Sequence, residues 1–253
     1  MPPVFDLLVA GEINPDLILT GDVIPAFGQA EKLIDSATLT VGSSSAIFAC
    51  AAARLGLKVA FTGVCGQDQF GSFMLDQMSE RGVDVTNVLV DPDQQTGLTI
   101  ILSREPAKDR AILTFPGSIA ALRSDQVSDA LLCQARHLHV ASYFLQTTLQ
   151  SGLPDLFERA HAHGLTTSLD TNWDPSGKWS GVQDLLLKTD VFLPNEKEAL
   201  ALTGASSVQE ALHQLGLLSG IVAIKIGEKG ALVYQHGQTA SAPSLPVQVV
   251  DTI

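Results

Sequence analysis

The chain has 253 residues, 45% of them apolar, with a formal net charge of −12 and an isoelectric point near 4.7. That length supports one sizeable core, and so acidic a surface argues against a nucleic-acid groove or an anionic membrane as partner. The longest uncharged stretch, 36–53, is broken by Gly42 and several serines, so no membrane span is expected; with no signal-like start, the expected location is cytoplasmic.

Short apolar, β-rich runs alternate with longer helical patterns. The expected strands are 5–10, 58–63, 137–141, 166–170, 190–193, 222–226, 231–234 and a last one at 247–250. Helices are expected at 44–55, 69–81, 124–133, 152–163, 181–188, 197–202 and 208–217. This alternation, with strands apolar throughout, predicts an α/β fold: a mostly parallel sheet with helices on both faces. Segments 13–40 and 96–115 break the rhythm, being strand-like with no helix between them. They are expected to form a small, mostly antiparallel sheet beside the main layer, within one folding unit spanning 1–253. Cys50, Cys65 and Cys133 are widely spaced in apolar runs and read as small buried residues rather than disulfide or metal ligands.

Several runs could carry chemistry, each with an ordinary alternative. Gly11-Glu-Ile-Asn14-Pro-Asp16 follows the first strand and is good turn chemistry. Gly42-Ser43-Ser44-Ser45 opens a helix of small and apolar residues; its serines either cap the helix or let a polar ligand approach its positive end. Asp68 reads as a helix cap. Asp170 ends a strand at the carboxyl edge, where the sites of α/β proteins lie. Asn195-Glu-Lys-Glu198 is a capping-box pattern, and Lys225-Ile-Gly227-Glu-Lys-Gly230 a tight connection between strands. The six histidines lack partners at metal-ligand spacing and read as structural. No Gly-x-x-x-x-Gly-Lys-[Ser/Thr] and no Gly-x-Gly-x-x-Gly after the first strand occur, so neither a P-loop NTPase nor a dinucleotide dehydrogenase is expected.

One stretch is more specific. From Gly42 the chain runs through a small-residue helix to Leu55-Gly56, a strand, and then Gly63-Val-Cys-Gly66-Gln-Asp68-Gln-Phe70-Gly71. This resembles the first signature of the ribokinase-like (PfkB) sugar kinases, and the likeness extends along the whole chain. Two positions depart from the pattern: Ser43 stands for the second glycine of a pair, and Ile47 for an asparagine that commonly binds a sugar hydroxyl.

The resemblance implies ATP-dependent phosphorylation of a primary hydroxyl on a sugar, with Mg²⁺ on the phosphates and K⁺ as a monovalent cation. It implies acceptor contacts from Asn14, Asp16, Gly42, Ser43, Gln146, Asp170 and Asn172, with Asp16 foremost. Nucleotide contacts fall to Asn195, Lys225, Gly227 and Gly230. Glu198 would belong to the outer shell of Mg²⁺, and Asp251 would hold the monovalent cation. The segments 13–40 and 96–115 would form a lid that also makes a homodimer. Asp174 replaces the arginine of an Asp-x-Asn-x-Arg loop, which disfavours acidic sugars. The family's Asp-Thr-x-Gly-Ala-Gly-Asp segment begins at Asp251-Thr252, so its general base is expected past Ile253 and no catalytic residue is assigned. A kinase-fold sugar-binding protein or inactive fragment, and a nucleoside kinase, are the alternatives.

Overall fold

The computed structural model describes residues 3–104 and 109–246. The strands are, in chain order, β1 (Leu7–Ala10), β2 (Pro15–Thr20), β3 (Ser36–Val41), β4 (Val59–Thr62), β5 (Val64–Gly66), β6 (Val83–Asp84), β7 (Leu89–Asp91), β8 (Leu98–Arg104), β9 (Asp109–Phe115), β10 (His137–Val140), β11 (Thr166–Leu169), β12 (Val191–Phe192), β13 (Ile221–Lys225), β14 (Ala231–Gln235) and β15 (Gln238–Ala242). The helices are α1 (Ser44–Arg54), α2 (Gln69–Glu80), α3 (Asp129–Leu132), α4 (Thr147–Gln150), α5 (Leu153–Ala162), α6 (Gln183–Leu186), α7 (Glu196–Thr203) and α8 (Val208–Gly216).

Nine strands form the main sheet in the order β15-β14-β13-β12-β11-β10-β1-β4-β6, all running parallel except β14, which pairs antiparallel with β13 and β15. Side-chain alternation splits its core in two. Leu8, Ala10, Leu138 and Val140 face α5, α6 and α8, whereas Leu7, Val9, Val59 and Phe61 face α1 and α2. The apolar strands are thus explained by cover on both faces. From β1 the chain builds outward to β4 and β6, then returns to β10 on the other side of β1. The crevice beyond the carboxyl ends of β1 and β10 is therefore the point where the winding reverses, the place where ligands bind in open α/β sheets.

A separate four-stranded sheet, β3-β2-β8-β9, stands beside this layer, as expected for 13–40 and 96–115. Its β2–β8 pair is parallel and the others antiparallel. Register puts Asp16, Thr99, Thr114 and Arg110 on one face; Leu17, Leu39, Ile100, Leu113 and Phe115 share the other.

Three expectations need correction, and one strand was not anticipated. Asp16 lies within β2 rather than in a turn, because Pro15 is tolerated at the first position of a strand, here paired with Val41. The helix expected at 124–133 breaks into a 3-10 turn, Ser124–Gln126, and the short α3. Arg159 takes the carbonyls of Ser124 and Val127 that a continuous helix would use, and the Ser128 hydroxyl caps Leu131 N–H. Cys133 is exposed, its thiol 3.3 Å from His163 Nδ1, whereas Cys65 is buried. The hairpin strand β15 follows a polar run, Gln238–Ala242, that carries no apolar alternation to reveal it. The strand expected at 247–250, and Asp251, lie outside the described residues. No helix among those described is long and apolar enough to cross a membrane.

Candidate active site

The crevice is built first from Glu12. The residue follows β1 and is buried, an unusual place for a carboxylate. Its Oε1 accepts from Ser45 N–H (3.2 Å) and the Ser142 hydroxyl (2.8 Å), and its Oε2 from the Ser45 hydroxyl (2.5 Å). Its own carbonyl accepts from the Ser43 hydroxyl at 2.6 Å, and Ser43 Oγ accepts in turn from Ala46 N–H, capping α1. Gly11 is required here, since any Cβ at that position would overlap the Ser45 side chain.

Asn172 extends the network. Its side-chain amide donates to Ser44 Oγ (2.9 Å) and Ser142 Oγ (3.3 Å), while its backbone N–H reaches Asp170 Oδ1 (3.1 Å). Asp170 Oδ2 then pairs with Lys225 Nζ at 2.6 Å. Lys225 sits opposite Asn195 in a parallel bridge, its N–H bonded to Pro194 O at 3.0 Å. Asn195 and Glu198 form the expected capping box of α7: Asn195 N–H donates to Glu198 Oε2 (2.8 Å) and Glu198 N–H to Asn195 Oδ1 (3.0 Å). Burial pushes the Glu198 carboxyl up, and the neighbouring Asp170 charge adds to this, against the pull of the Asn195 N–H and of Lys225.

Asp16 marks the other end, where the small sheet meets the crevice. Asn14 Nδ2 lies 3.5 Å from Asp16 Oδ1 and 3.2 Å from Thr99 Oγ1. Burial pushes the Asp16 carboxyl up to about 6, against the lowering effect of Arg110. Gly42 makes room for it: a Cβ there would lie 2.8 Å from Asp16 N and closer still to its carboxylate.

This geometry can hold a polyhydroxy ligand between Asp16 and the start of α1, and an anionic one near Lys225 and Asn195. The pfkB carbohydrate-kinase family matches residues 5–253. The chain belongs to that family. A ribokinase of Haemophilus influenzae is 28% identical over 258 residues, covering 97% of this chain and 80% of the relative. A fructokinase of Vibrio alginolyticus is 30% identical over 220 residues, covering 83% and 71%. Among solved structures, Arabidopsis thaliana ribokinase complexed with ribose and ATP superposes with a TM-score of 0.83 at 21% identity, covering all of this chain and 81% of that one. The fold is thus ribokinase-like and the chain is, by family, a carbohydrate kinase.

The residues singled out in this pfkB chain fall into two groups. Asn14, Asp16, Gly42, Ser43 and Asn172 gather at the start of α1; Asp170, Lys225, Asn195 and Glu198 gather past β11–β13. Gly227 adopts φ 60° with open space around its Cα, as a surface for close ligand approach requires. Gly230 has a different reason to be glycine: at φ 97° a Cβ would overlap Ala242 O, so it serves the β14–β15 packing. Gln146 is buried; its Nε2 donates to Ala141 O at 2.6 Å, while its Oε1 has no partner among the described residues. Asp174 turns inward onto its own loop. Burial pushes its carboxyl up, but N–H groups of Trp179 (2.7 Å) and Ser176 (2.8 Å) and the Ser176 hydroxyl outweigh this and hold it low. Ile47 is half exposed on the first turn of α1. Asp68 caps α2 through Gly71 N–H and also accepts from Thr96 N–H, tying α2 to the small sheet.

Ser44 and Ser45 belong to the serine run expected to cap α1 or meet a ligand, whereas no expectation fell on Glu12 or on the Ser142 hydroxyl. The available signal was a lone acid between Gly11 and Ile13 directly after an apolar strand.

Proposed function

We propose that the protein transfers the γ-phosphate of ATP to a primary hydroxyl of an uncharged sugar. The observation that carries this is Asp16: a half-buried carboxylate on the small sheet, backed by Asn14 and given room by Gly42, facing the first turn of α1. A carboxylate so placed accepts hydrogen bonds from two vicinal hydroxyls, and a site built that way rejects analogues lacking them. Ribokinase and fructokinase relatives act on such sugars by name.

ATP binds past β12 and β13 in this reading, with Lys225 and Asn195 at the phosphates and the open Gly227 backbone alongside. Mg²⁺ would be held beside Glu198, whose carboxyl burial pushes up and a nearby cation would stabilise, while Asp170 is read as an acceptor contact; an E. coli ribokinase II structure is described in complex with ATP and Mg²⁺. When bound, the metal neutralises phosphate charge. Asp251 is assigned the K⁺ site. Gln146 offers its free Oε1 to an acceptor hydroxyl.

Transfer requires a base at the acceptor hydroxyl. Among the described residues Glu12, Asp170, Asp174 and Glu198 are all engaged by hydrogen bonds or ion pairing, so none of these four is assigned as that base. Turnover by the polypeptide 1–253 at about 1–100 s⁻¹, the range of working kinases, would support the kinase reading over a binding protein. A kinase-fold binding protein is the second reading, favoured by the same engagement of carboxylates. A nucleoside acceptor is the third, and calorimetry with ribose, fructose and adenosine separates them.

The small sheet is read as a lid, and its second face as a homodimer contact. Leu39, Leu113 and Phe115 lie exposed together on that face, a patch of the kind a second lid covers. Light scattering that finds only monomer would remove the dimer. Function in the cytoplasm, where ATP is available, completes the reading.

A further inference from the structure

Glu12 has no role in the reading above, yet its buried carboxylate makes three hydrogen bonds in the crevice. Its carboxylate takes three donors from two separate segments, the start of α1 and the turn after β10. The segments it ties are strained. Six non-glycine residues among those described have left-handed φ, and three of them, Ser43 (66°), Ser142 (53°) and Asn172 (55°), belong to this one network. Such conformations persist only where surrounding bonds over-determine them, and they concentrate at functional sites. Ser43 is fixed from both sides, by Glu12 O and Ala46 N–H; Ser142 is fixed by Glu12 and holds Asn172, which reaches back to Ser44.

The network also has a charge consequence. A helix N-terminus attracts an anion through its free N–H groups and dipole. In α1 an internal carboxylate already occupies that place, through Ser45 N–H. Around the acceptor end Asp16 adds a second acid, with the Arg110 cation near it on the same sheet face, and Lys225 is engaged by Asp170.

Resting on the sugar-kinase reading, we propose that Glu12 is the positioning residue that sets both the shape and the charge preference of the acceptor site. Its carboxylate holds Ser43, Ser142 and Asn172 where they frame the acceptor, and by filling the α1 terminus with an internal anion it selects uncharged sugars against sugar acids. Both kinds of acceptor occur in the names of relatives, which include a fructokinase and a 2-dehydro-3-deoxygluconokinase.

The test is calorimetric titration of the wild-type chain, Glu12→Gln and Glu12→Ala with ribose, fructose and 2-dehydro-3-deoxygluconate, with folding followed by circular dichroism. Gln keeps the shape and loses the charge; Ala loses both. The wild type should prefer a neutral sugar over the acid. Glu12→Ala should weaken neutral-sugar binding at least tenfold, and Glu12→Gln should rescue it to within about threefold while narrowing the preference against the acid about tenfold. Unchanged neutral-sugar affinity in Glu12→Ala would overturn the positioning role, as would a purely thermal effect with affinities intact. If Glu12→Ala does not fold, an unchanged acid-to-neutral ratio in Glu12→Gln overturns the proposal. If the wild type binds none of the sugars, the kinase reading fails by itself. Amide exchange at Ser45, whose N–H the Glu12 carboxylate accepts, then decides the network in Glu12→Ala, with faster exchange than in the wild type supporting it and unchanged exchange overturning it.

Discussion

Gly42→Ala probes the acceptor end with a single methyl group. Gly42 does not have a left-handed φ, so alanine suits its backbone and the effect is steric. The new Cβ would sit 2.8 Å from Asp16 N, and closer to Oδ1, where real Cβ contacts stay beyond 3 Å. The Asp16 backbone cannot yield easily, because β2 is paired on both sides, with Thr40 and Thr99 opposite Asp16. The carboxylate must therefore rotate away from the acceptor. Losing one charge-assisted hydrogen bond costs about 1.5–3 kcal/mol, or roughly 10- to 150-fold in affinity. Calorimetry with ribose and fructose on the wild type, Gly42→Ala, Asp16→Ala and the double variant measures this directly. If Gly42 acts through Asp16, the double variant binds no more weakly than Asp16→Ala alone. Full affinity in Gly42→Ala with an unchanged melting temperature would refute the reasoning, and additive losses would mean that Gly42 touches the ligand independently.

Other expectations follow from the same contacts. Since burial raises Asp16 to about 6 and the ionised form is the better acceptor of hydroxyl protons, sugar affinity should fall as pH drops through 6. The loss approaches about tenfold per pH unit below that value, and a flat titration from pH 8 to 5 would count against Asp16. His139 is buried against Phe48 and bonded to Ser168, and burial, with the His137 and Lys225 charges, lowers it to about 3. The unfolded chain binds this proton below about 6.5 and the folded one does not, so stability should decline as pH falls from 6.5 towards 3, by up to about 1.4 kcal/mol per unit. Urea denaturation at pH 7 and 5, with His139→Phe as the variant that flattens the slope, checks the sign. Lys225→Ala should weaken ATP binding about tenfold or more while leaving ribose binding and melting temperature nearly unchanged, because the Lys225–Asp170 pair is largely exposed on the lysine side. Nucleotide fluorescence titration would reveal an unaffected site.

Much of this was legible in the sequence. α1 and α2 are found within a residue of the expected bounds, since small-residue and amphipathic runs are closed by Leu55-Gly56 and Arg81-Gly82. The separate small sheet was readable from strands with no helix between them. What was not legible depends on distance along the chain. Arg159 breaks the helix at 127 from more than thirty residues away, so local propensity there was overruled. The role of Glu12 depends on Ser142, 130 positions later, which only the fold brings against it. Asn195–Glu198 was legible as a cap and is one; its approach to Lys225 and Asp170 depends on the parallel order of β11, β12 and β13.

The central claim is that Asp16 anchors an uncharged sugar in a crevice that also takes ATP. Titration of the chain 1–253 with ribose and fructose in the presence of ATP and Mg²⁺ tests it most directly. The account predicts saturable one-to-one binding of at least one of these sugars, weakened tenfold or more in Asp16→Ala with the fold intact. A folded wild type that binds neither sugar, or an Asp16→Ala variant that binds as the wild type does, would contradict it.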